Sequence, residues 1–274
     1  MYVNSNVIEG LAVTKIYNIA MQPGTTIQAN IPTNDKGVSF DGHIEVYKDH
    51  FMKVNSLLGR VPVQVKGKTV KSFSPMQAKY SVKVDDLKNY YREGGAIFFV
   101  CEINSSNNDV EVFALILLPL DLRPLIKKAG EQGTTTIYLS HIKDCKTLIL
   151  VCNKFLKEKN RQPVIYIEKN SFKLEDFEKL KVSRVSFTPS EKQFNLINQD
   201  MYLYGLKEEV EYPISIINFE KIGHEGTTYI NIDGESIPYN YEFLEVSDLT
   251  RILLEHTFLI TFQNIKTPHI RILL

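Results

Sequence analysis

Two neighbouring stretches decide the predicted fold: VSFDGHIEVYK at Val38–Lys48 and RVPVQVK at Arg60–Lys66. Apolar and polar residues alternate in both, which is the pattern of a strand with one buried face, because successive side chains of a strand point to opposite sides. Among the residues between them, 55–59 are typical of a turn. The two stretches are therefore predicted to form a hairpin with one polar and one apolar face.

The elements around this hairpin predict an α/β fold. Apolar residues at three- and four-residue spacing predict an amphipathic helix over 4–20. After the hairpin, a short helix at Asp85–Arg92 precedes two strongly apolar strands, Ala96–Ile103 and Val110–Leu118. Strands that are apolar along their whole length are usually covered on both faces. Residues 1–158 are therefore predicted to form one domain, a sheet covered by helices on both faces.

A second, β-rich α+β domain of unknown role is predicted over residues 159–274. Short strand-like runs recur there between turn signals, one of them at Val164–Glu168, and two helices are expected at Glu175–Lys181 and Asp248–His256. Sensing, DNA binding and assembly are the roles left open for it. The apolar end, Ile270–Leu274, is either a strand of a closed domain or a sign that the sequence is the front part of a longer protein.

Composition excludes several classes of protein. The 274 residues include 32 basic and 32 acidic ones, so a partner that needs positive potential must be met by local clustering of charge. Three cysteines without a paired motif argue against a disulfide framework and against a structural zinc site. Apolar runs are too short to span a bilayer, and the first residues lack signal-peptide features. A cytoplasmic protein without a membrane partner is expected.

The polar face of the hairpin carries the candidate chemistry. Asp41 on the first strand is predicted to face the same side as Gln64 and Lys66, which lie two apart on the second strand. Carboxylate and amide oxygens suit a hard divalent cation, and a lysine can stabilise charge on a phosphate or orient the attacking water. Glu9, on the first helix, could approach from beside the sheet as a further ligand.

The order of these residues resembles a known family. The succession helix-Glu, strand-Asp-Gly and strand-Gln-x-Lys, in IEG (8–10), FDGHIEV (40–46) and VQVKGK (63–68), resembles the PD-(D/E)XK, or restriction-endonuclease-like, nuclease superfamily. The later DDLKNYYREGGAIFFVCEI (85–103) and VFALILLP (112–119) are similar to bacterial restriction and anti-phage defence subfamilies, in which a QxK strand precedes a helix and two core strands. The resemblance covers about residues 4–155.

The resemblance implies a restriction-endonuclease-like mixed sheet and an endonuclease that uses Mg²⁺ or Mn²⁺ to hydrolyse DNA phosphodiester bonds. Glu9 matches the helical acid, Asp41 the metal-binding acid and Lys66 the catalytic lysine. Gln64 stands where the family usually has Glu or Asp, and a neutral amide binds a cation more weakly. The implied metal ligands are Asp41, Gln64, the backbone carbonyl of Val65, and Glu9. The alternative is a catalytically inactive nuclease-fold module that binds DNA or a partner protein.

Charge around the hairpin points in the same direction. Residues 36–92 hold eleven Lys or Arg against five Asp or Glu, and such a patch favours a phosphate backbone without reading its sequence. Lys68, Lys71 and Lys79 are the predicted DNA contacts, with DNA preferred to RNA. A second copy of the chain and a defence-system protein stay open as partners. Glu45 is either an extra ligand or a cross-strand partner of a lysine, and His43 either a surface histidine or a catalytic group.

Overall fold

A seven-stranded mixed sheet with helices on both faces dominates the structure. The computed structural model describes residues 4–33, 39–169, 172–183, 200–232, 235–243, 258–262 and 270–272. The chain divides into two compact units, one of Met1–Lys179 with Gly205–Ile214 and one of Leu180–Tyr204 with Ser215–Leu274. The predicted boundary near residue 158 stays a prediction.

The elements of the first unit include, in chain order, α1 (Ser5–Ala20), β1 (Ile27–Asn30), β2 (Gly42–Tyr47), β3 (Leu57–Val70), β4 (Gln77–Lys83), α2 (Val84–Arg92), β5 (Ala96–Asn104), β6 (Val110–Leu117), α3 (Pro119–Ala129), β7 (Thr134–His141), α4 (Cys145–Lys159) and α5 (Val164–Lys169). The strands pair in the order β1–β2–β3–β5–β6–β7–β4. β3 and β5 run parallel, and the other neighbours are antiparallel. The predicted mixed sheet flanked by helices is therefore confirmed at this level.

Helices α1 and α4 cover one face of the sheet, and α2 and α3 cover the other. On the first face, the Cys101 thiol of β5 lies 3.6 Å from the Ala12 carbonyl oxygen of α1. On the second face, Leu87 and Tyr90 of α2 are buried in one cluster with Phe98 of β5. β5 is buried along eight consecutive residues for this reason, as the apolar pattern predicts.

The packing of α1 on β3 depends on a glycine. A Cβ at Gly67 would overlap Cγ2 of Ile8 and lie 3.0 Å from the carbonyl oxygen of Ile8. We expect Gly67→Ala to lower the free energy of unfolding by about 1–3 kcal/mol through overpacking. Gly10, inside α1, has nothing within 4 Å of a built Cβ.

Gly10→Ala is the matched control for that measurement, and it should raise stability by about 0.5–1 kcal/mol through helix propensity. Urea denaturation followed by circular dichroism measures both variants. A Gly67→Ala variant as stable as the wild type would contradict the packing of α1 against β3.

Strand β4 is absent from the sequence-based prediction. It pairs with β7 from Gln77 opposite Ser140 to Lys83 opposite Thr134, and these partners lie far apart in the chain. The predicted turn over 55–59 is wrong in its second half, because β3 begins at Leu57 and pairs there with β2 across a β-bulge. The first error arises from long-range pairing, which local patterns do not report, and the second from the β-bulge in the hairpin.

The second sheet contains β8 (Lys179–Val182), β9 (Asp200–Lys207), β10 (Val210–Ile232), β11 (Glu235–Phe243), β12 (Phe258–Phe262) and β13 (Ile270–Ile272). Its order is β13–β12–β10–β9–β8, with β11 paired to β10. The pairings of β10 with β11 and β12, and of β12 with β13, are antiparallel. The chain is therefore mixed α/β, with a second, smaller sheet.

Two predictions for the later residues are wrong. Val164–Glu168 is helical, within α5, because Pro163 starts a turn whose carbonyl accepts from the N–H groups of Tyr166 and Ile167. The predicted helix at Glu175–Lys181 is a short 3₁₀ turn followed by β8, because pairing outweighs local propensity there. The predicted helix at Asp248–His256 lies outside the described residues.

None of the helices in the described ranges combines the length and the hydrophobicity needed to cross a bilayer.

Candidate functional site

The polar end of the β2–β3 hairpin brings Asp41, Gln64 and Val65 into contact. The backbone N–H of Asp41 donates to the Val63 carbonyl at 3.0 Å, which aligns the residue before β2 with β3. One carboxylate oxygen, Asp41 Oδ2, accepts from the side-chain amide Nε2 of Gln64 and, at 2.7 Å, from the N–H of Val65. Three groups that the resemblance implies as metal ligands therefore lie together.

The register of the hairpin explains this contact. Gly42 pairs with Val63, so the preceding Asp41 lies across from Gln64. Gly42 has a φ of +155°, and a Cβ there would overlap the carbonyl oxygen of Asn30 on β1. Each residue of the Asp-Gly pair therefore has its own role. The acid faces β3, and the glycine lets the backbone of β2 pass close to β1.

The predicted polar face of the hairpin is closed to solvent at Gln64. Gln64 is 3% exposed, and the hydroxyl of Tyr90 on α2 donates to its Oε1 at 3.3 Å. The Phe40 ring packs on Tyr90 with centroids 5.4 Å apart. Helix α2 thus covers this part of β3 and supplies a hydrogen-bond partner to the amide of Gln64.

A second acid near this contact, Asp86 on α2, was missed by the sequence analysis. Burial, followed by the negative charges of Asp86 and Asp41, raises the pKa of Tyr90, so its hydroxyl stays protonated and donates. Ser39 donates to Asp86 Oδ1 at 3.4 Å and accepts from Asn89 Nδ2 at 2.7 Å. The sequence marks Asp86 only as an acid in the first turn of a predicted helix, which is a common stabilising feature.

Ser39 has a left-handed backbone, with a φ of +72°. Such a conformation is uncommon for a residue other than glycine and costs on the order of 1 kcal/mol or more. The hydrogen bonds of Ser39 to α2 offset this cost. They anchor the segment that leads into Asp41 against the helix that covers Gln64.

Lys66 lies on the same face of β3 as Gln64. It is half-buried and pairs with Val100 of the parallel strand β5. Two residues along a strand span about 7 Å, so its side chain starts within reach of a group bound at Asp41. The structure therefore brings Asp41, Gln64 and Val65 into contact and places Lys66 two residues beyond Gln64 on the same face of β3.

Glu9 belongs to a helix on the other side of the sheet. Its neighbour Ile8 contacts Gly67, whose side-chain position faces away from that of Gln64 and Lys66 because strand positions alternate. The structure thus places Glu9 on α1, half-buried, on the face of β3 opposite to Gln64.

The three predicted DNA-contacting lysines do not form one patch. The Lys68 ammonium lies 3.6 Å from a carboxylate oxygen of Glu102, which is 1% exposed. Lys71 is exposed just beyond the end of β3. Lys79 lies on β4, which β5, β6 and β7 separate from β3. The three lysines are close in sequence, and the prediction of a single basic patch from that closeness is wrong.

Glu45 is a cross-strand partner, the structural alternative of the two considered for it. Its carboxylate accepts from the Tyr47 hydroxyl at 2.7 Å and from Nε of Arg60, rather than from a lysine, at 2.9 Å, and these bonds lower the pKa of Glu45. His43 Nε2 lies 3.7 Å from Glu45 Oε1. His43 therefore lies beside the carboxylate that Arg60 and Tyr47 contact.

The oxygen atoms at Asp41 fit a hard divalent cation. In the part of the chain that the structure describes, no group of three or more His, Cys, Asp and Glu residues is arranged to hold a metal. The Asp41 carboxylate and the Val65 carbonyl nevertheless lie around one amide, since Gln64 Nε2 is 3.5 Å from the Val65 oxygen. Turning that amide over would present its oxygen instead, and the Tyr90 hydroxyl could then accept. Three oxygen ligands of the kind Mg²⁺ prefers would result.

Comparison with known proteins finds no family model, no curated protein and no solved structure that matches the chain. The function must therefore be argued from the residues and their geometry.

Proposed function

We propose that the protein is a metal-dependent endonuclease that hydrolyses phosphodiester bonds of DNA. The observation that carries the proposal is the contact of Asp41 with Gln64 and with the backbone of Val65. Lys66 follows two residues after Gln64 on the same face of β3. A carboxylate, a backbone carbonyl, an amide and a lysine in this arrangement are groups that the family resemblance implies. The implied helical acid, Glu9, lies on the opposite face of β3 and has no part in the proposal.

The order of elements supports a restriction-endonuclease-like fold as part of the proposal. The strand with Gln64 and Lys66 is followed by α2 and by the core strands β5 and β6, the succession that the resemblance implies. β4 is an additional strand between β3 and α2 in the chain, and it lies at the far edge of the sheet.

Each residue has a defined part in the proposed reaction. Asp41, the Val65 carbonyl and the Gln64 amide oxygen would hold Mg²⁺, which supplies Lewis-acid chemistry when bound by polarising the phosphate and lowering the pKa of water. The Lys66 ammonium would stabilise the negative charge that develops on the phosphate. Tyr90, kept protonated by its buried position, would fix the Gln64 amide.

The resemblance extends the proposal to a setting, a bacterial restriction or anti-phage defence system in the cytoplasm. A second copy of the chain or another defence protein would be the partner. The second sheet would then serve sensing, DNA binding or assembly.

The second candidate function is a nuclease fold that binds DNA without cleaving it. One observation favours it: the Asp41 oxygen that would face a cation already accepts two hydrogen bonds, from Gln64 and Val65. A metal would have to replace at least the one from Gln64.

Metal dependence separates the two candidates. We expect the purified protein to cleave DNA in Mg²⁺ or Mn²⁺ and to stop in EDTA, because the proposed reaction needs a cation at Asp41 to activate the attacking water. Plasmid, linear duplex, single-stranded DNA and RNA, resolved on gels, provide the measurement. Cleavage that persists in EDTA, by protein free of contaminating nuclease, would exclude this mechanism. Binding without cleavage under every metal condition would support the second candidate.

A further inference from the structure

The outward side chains of β4 and β7 form a surface that the proposed reaction does not use. They come from positions 77, 79, 81 and 83 of β4 and 134, 136, 138 and 140 of β7, and they are called the ribbon face below. All eight are exposed, and the two strands pair residue by residue along the whole of it. The alternate residues, such as Ala78 and Leu139, are buried in the core, and this burial fixes which side chains face outward.

The ribbon face is basic and carries no acid. Two of its residues are lysines, Lys79 and Lys83, one is Tyr138, and the other five are glutamine, serine or threonine. The chain as a whole holds as many acidic as basic residues, so an acid-free surface of this kind is a local feature. The Lys79 ammonium lies 5.5 Å from the centre of the Tyr138 ring, a cation–π distance that orders both side chains.

A basic cleft lies on the same side of the sheet. The register from β6 to β7 puts the ribbon face on the side covered by α1 and α4. Just after β7, Lys143 and Lys146 join Lys15 of α1 around a cleft of about 600 Å³. The acid among its lining residues, Asp144, accepts hydrogen bonds from the backbone N–H and hydroxyl of Thr147 and so caps α4.

We infer that the ribbon face is a docking surface for the phosphate backbone of double-stranded DNA, separate from the contact around Asp41. The inference rests on the proposed nucleic-acid substrate. Charge complementarity carries it, because two lysines and five neutral hydrogen-bonding side chains, without an acid, are the groups that contact phosphates.

The dimensions and chemistry of the ribbon face favour duplex over single-stranded DNA. Lys79 and Lys83 are four positions apart on β4, a distance of about 13 Å. This distance is close to the width of the major groove, which is roughly 12 Å. Surfaces for single strands stack successive bases on several aromatic rings. The ribbon face offers one ring, Tyr138, and its lysine neighbour already contacts it.

Charge reversal on the ribbon face tests the inference. Binding of a labelled 30-base-pair duplex is measured in EDTA, so that no cleavage occurs, for the wild type and for Lys79→Glu/Lys83→Glu. We expect the affinity to fall by at least ~10-fold near 0.1 M salt and the salt dependence to flatten by about two counterions. Lys154→Glu/Lys157→Glu, an equal change of charge on exposed positions of α4, is the matched control and should stay within about threefold of the wild type.

The outcomes separate this inference from the proposed function. A ribbon variant that binds duplex as well as the wild type overturns the docking surface and leaves the nuclease proposal standing, and the two lysines then only protect the edge strand from pairing. Loss of single-strand binding with duplex binding intact overturns it as well. A wild type that binds duplex, is weakened only by the ribbon substitutions and never cleaves supports the docking surface and overturns the nuclease. A wild type that neither binds nor cleaves any nucleic acid overturns both.

Discussion

Asp41→Asn is expected to reduce the rate of DNA cleavage by roughly 10³-fold while the protein stays folded. The carboxylate would supply several kcal/mol of charge stabilisation to a bound cation, and each ~1.4 kcal/mol is worth tenfold in rate. Asparagine keeps an oxygen that can accept from the Val65 N–H, whereas alanine would leave buried donors without partners at a cost of about 1–3 kcal/mol. Single-turnover cleavage and thermal melting are the two measurements.

Glu45→Gln is the matched control for Asp41→Asn. Glu45 lies on the same strand and face but pairs with Arg60 and Tyr47, so this variant should cleave at close to the wild-type rate. Lys66→Met should be as inactive as Asp41→Asn. Cleavage that survives either Asp41→Asn or Lys66→Met would remove the main support for a nuclease, and an equal loss in Glu45→Gln would show that the assay reports fold rather than chemistry.

Lys68→Met is expected to have the largest effect on stability among the lysine substitutions around the hairpin, about 2 kcal/mol. It removes the cation next to Glu102, a carboxylate that is 1% exposed and otherwise accepts from the N–H and hydroxyl of Ser74 at 2.7 and 2.9 Å. Breaking a fully buried pair costs about 3–5 kcal/mol. The estimate here is smaller because the Lys68 side chain is 42% exposed.

A double-mutant cycle isolates this interaction. Glu102→Gln removes the buried charge, so Lys68→Met should cost much less in a Glu102→Gln background than in the wild type. Lys71→Met, at an exposed position beyond the end of β3, is the control and should change stability by no more than about 0.5 kcal/mol. Equal costs of Lys68→Met in both backgrounds, measured by urea unfolding, would show that Lys68 does not stabilise the Glu102 carboxylate.

Local pattern was sufficient for much of the first sheet. Apolar spacing predicted α1, and continuous apolar runs predicted β5 and β6, because the periodicity of each segment reports its own buried face. The same alternation put Asp41, Gln64 and Lys66 on one face, since a strand repeats every two residues. It failed at Val164–Glu168, where a short apolar run fits a strand and a helix equally well.

Only the tertiary structure decided how open the candidate site is. Tyr90 and Asp86 reach it from α2, more than twenty residues after Gln64 in the chain, and no periodic signal connects them to it. For the same reason, the spacing of residues along the sequence could not predict on which side of the sheet Glu9 lies. It could not predict the separation of Lys79 from Lys68 either.

The sequence by itself determined which residue types stand on which side of each strand, because that depends on neighbours one and two positions away. The tertiary structure decided which strands pair and what covers them. β4 pairs with β7 rather than with β3, and this exposes the ribbon face, whereas Gln64 is buried under α2. Such outcomes depend on the pairing and packing of segments distant in the chain, where burying apolar surface outweighs local preference.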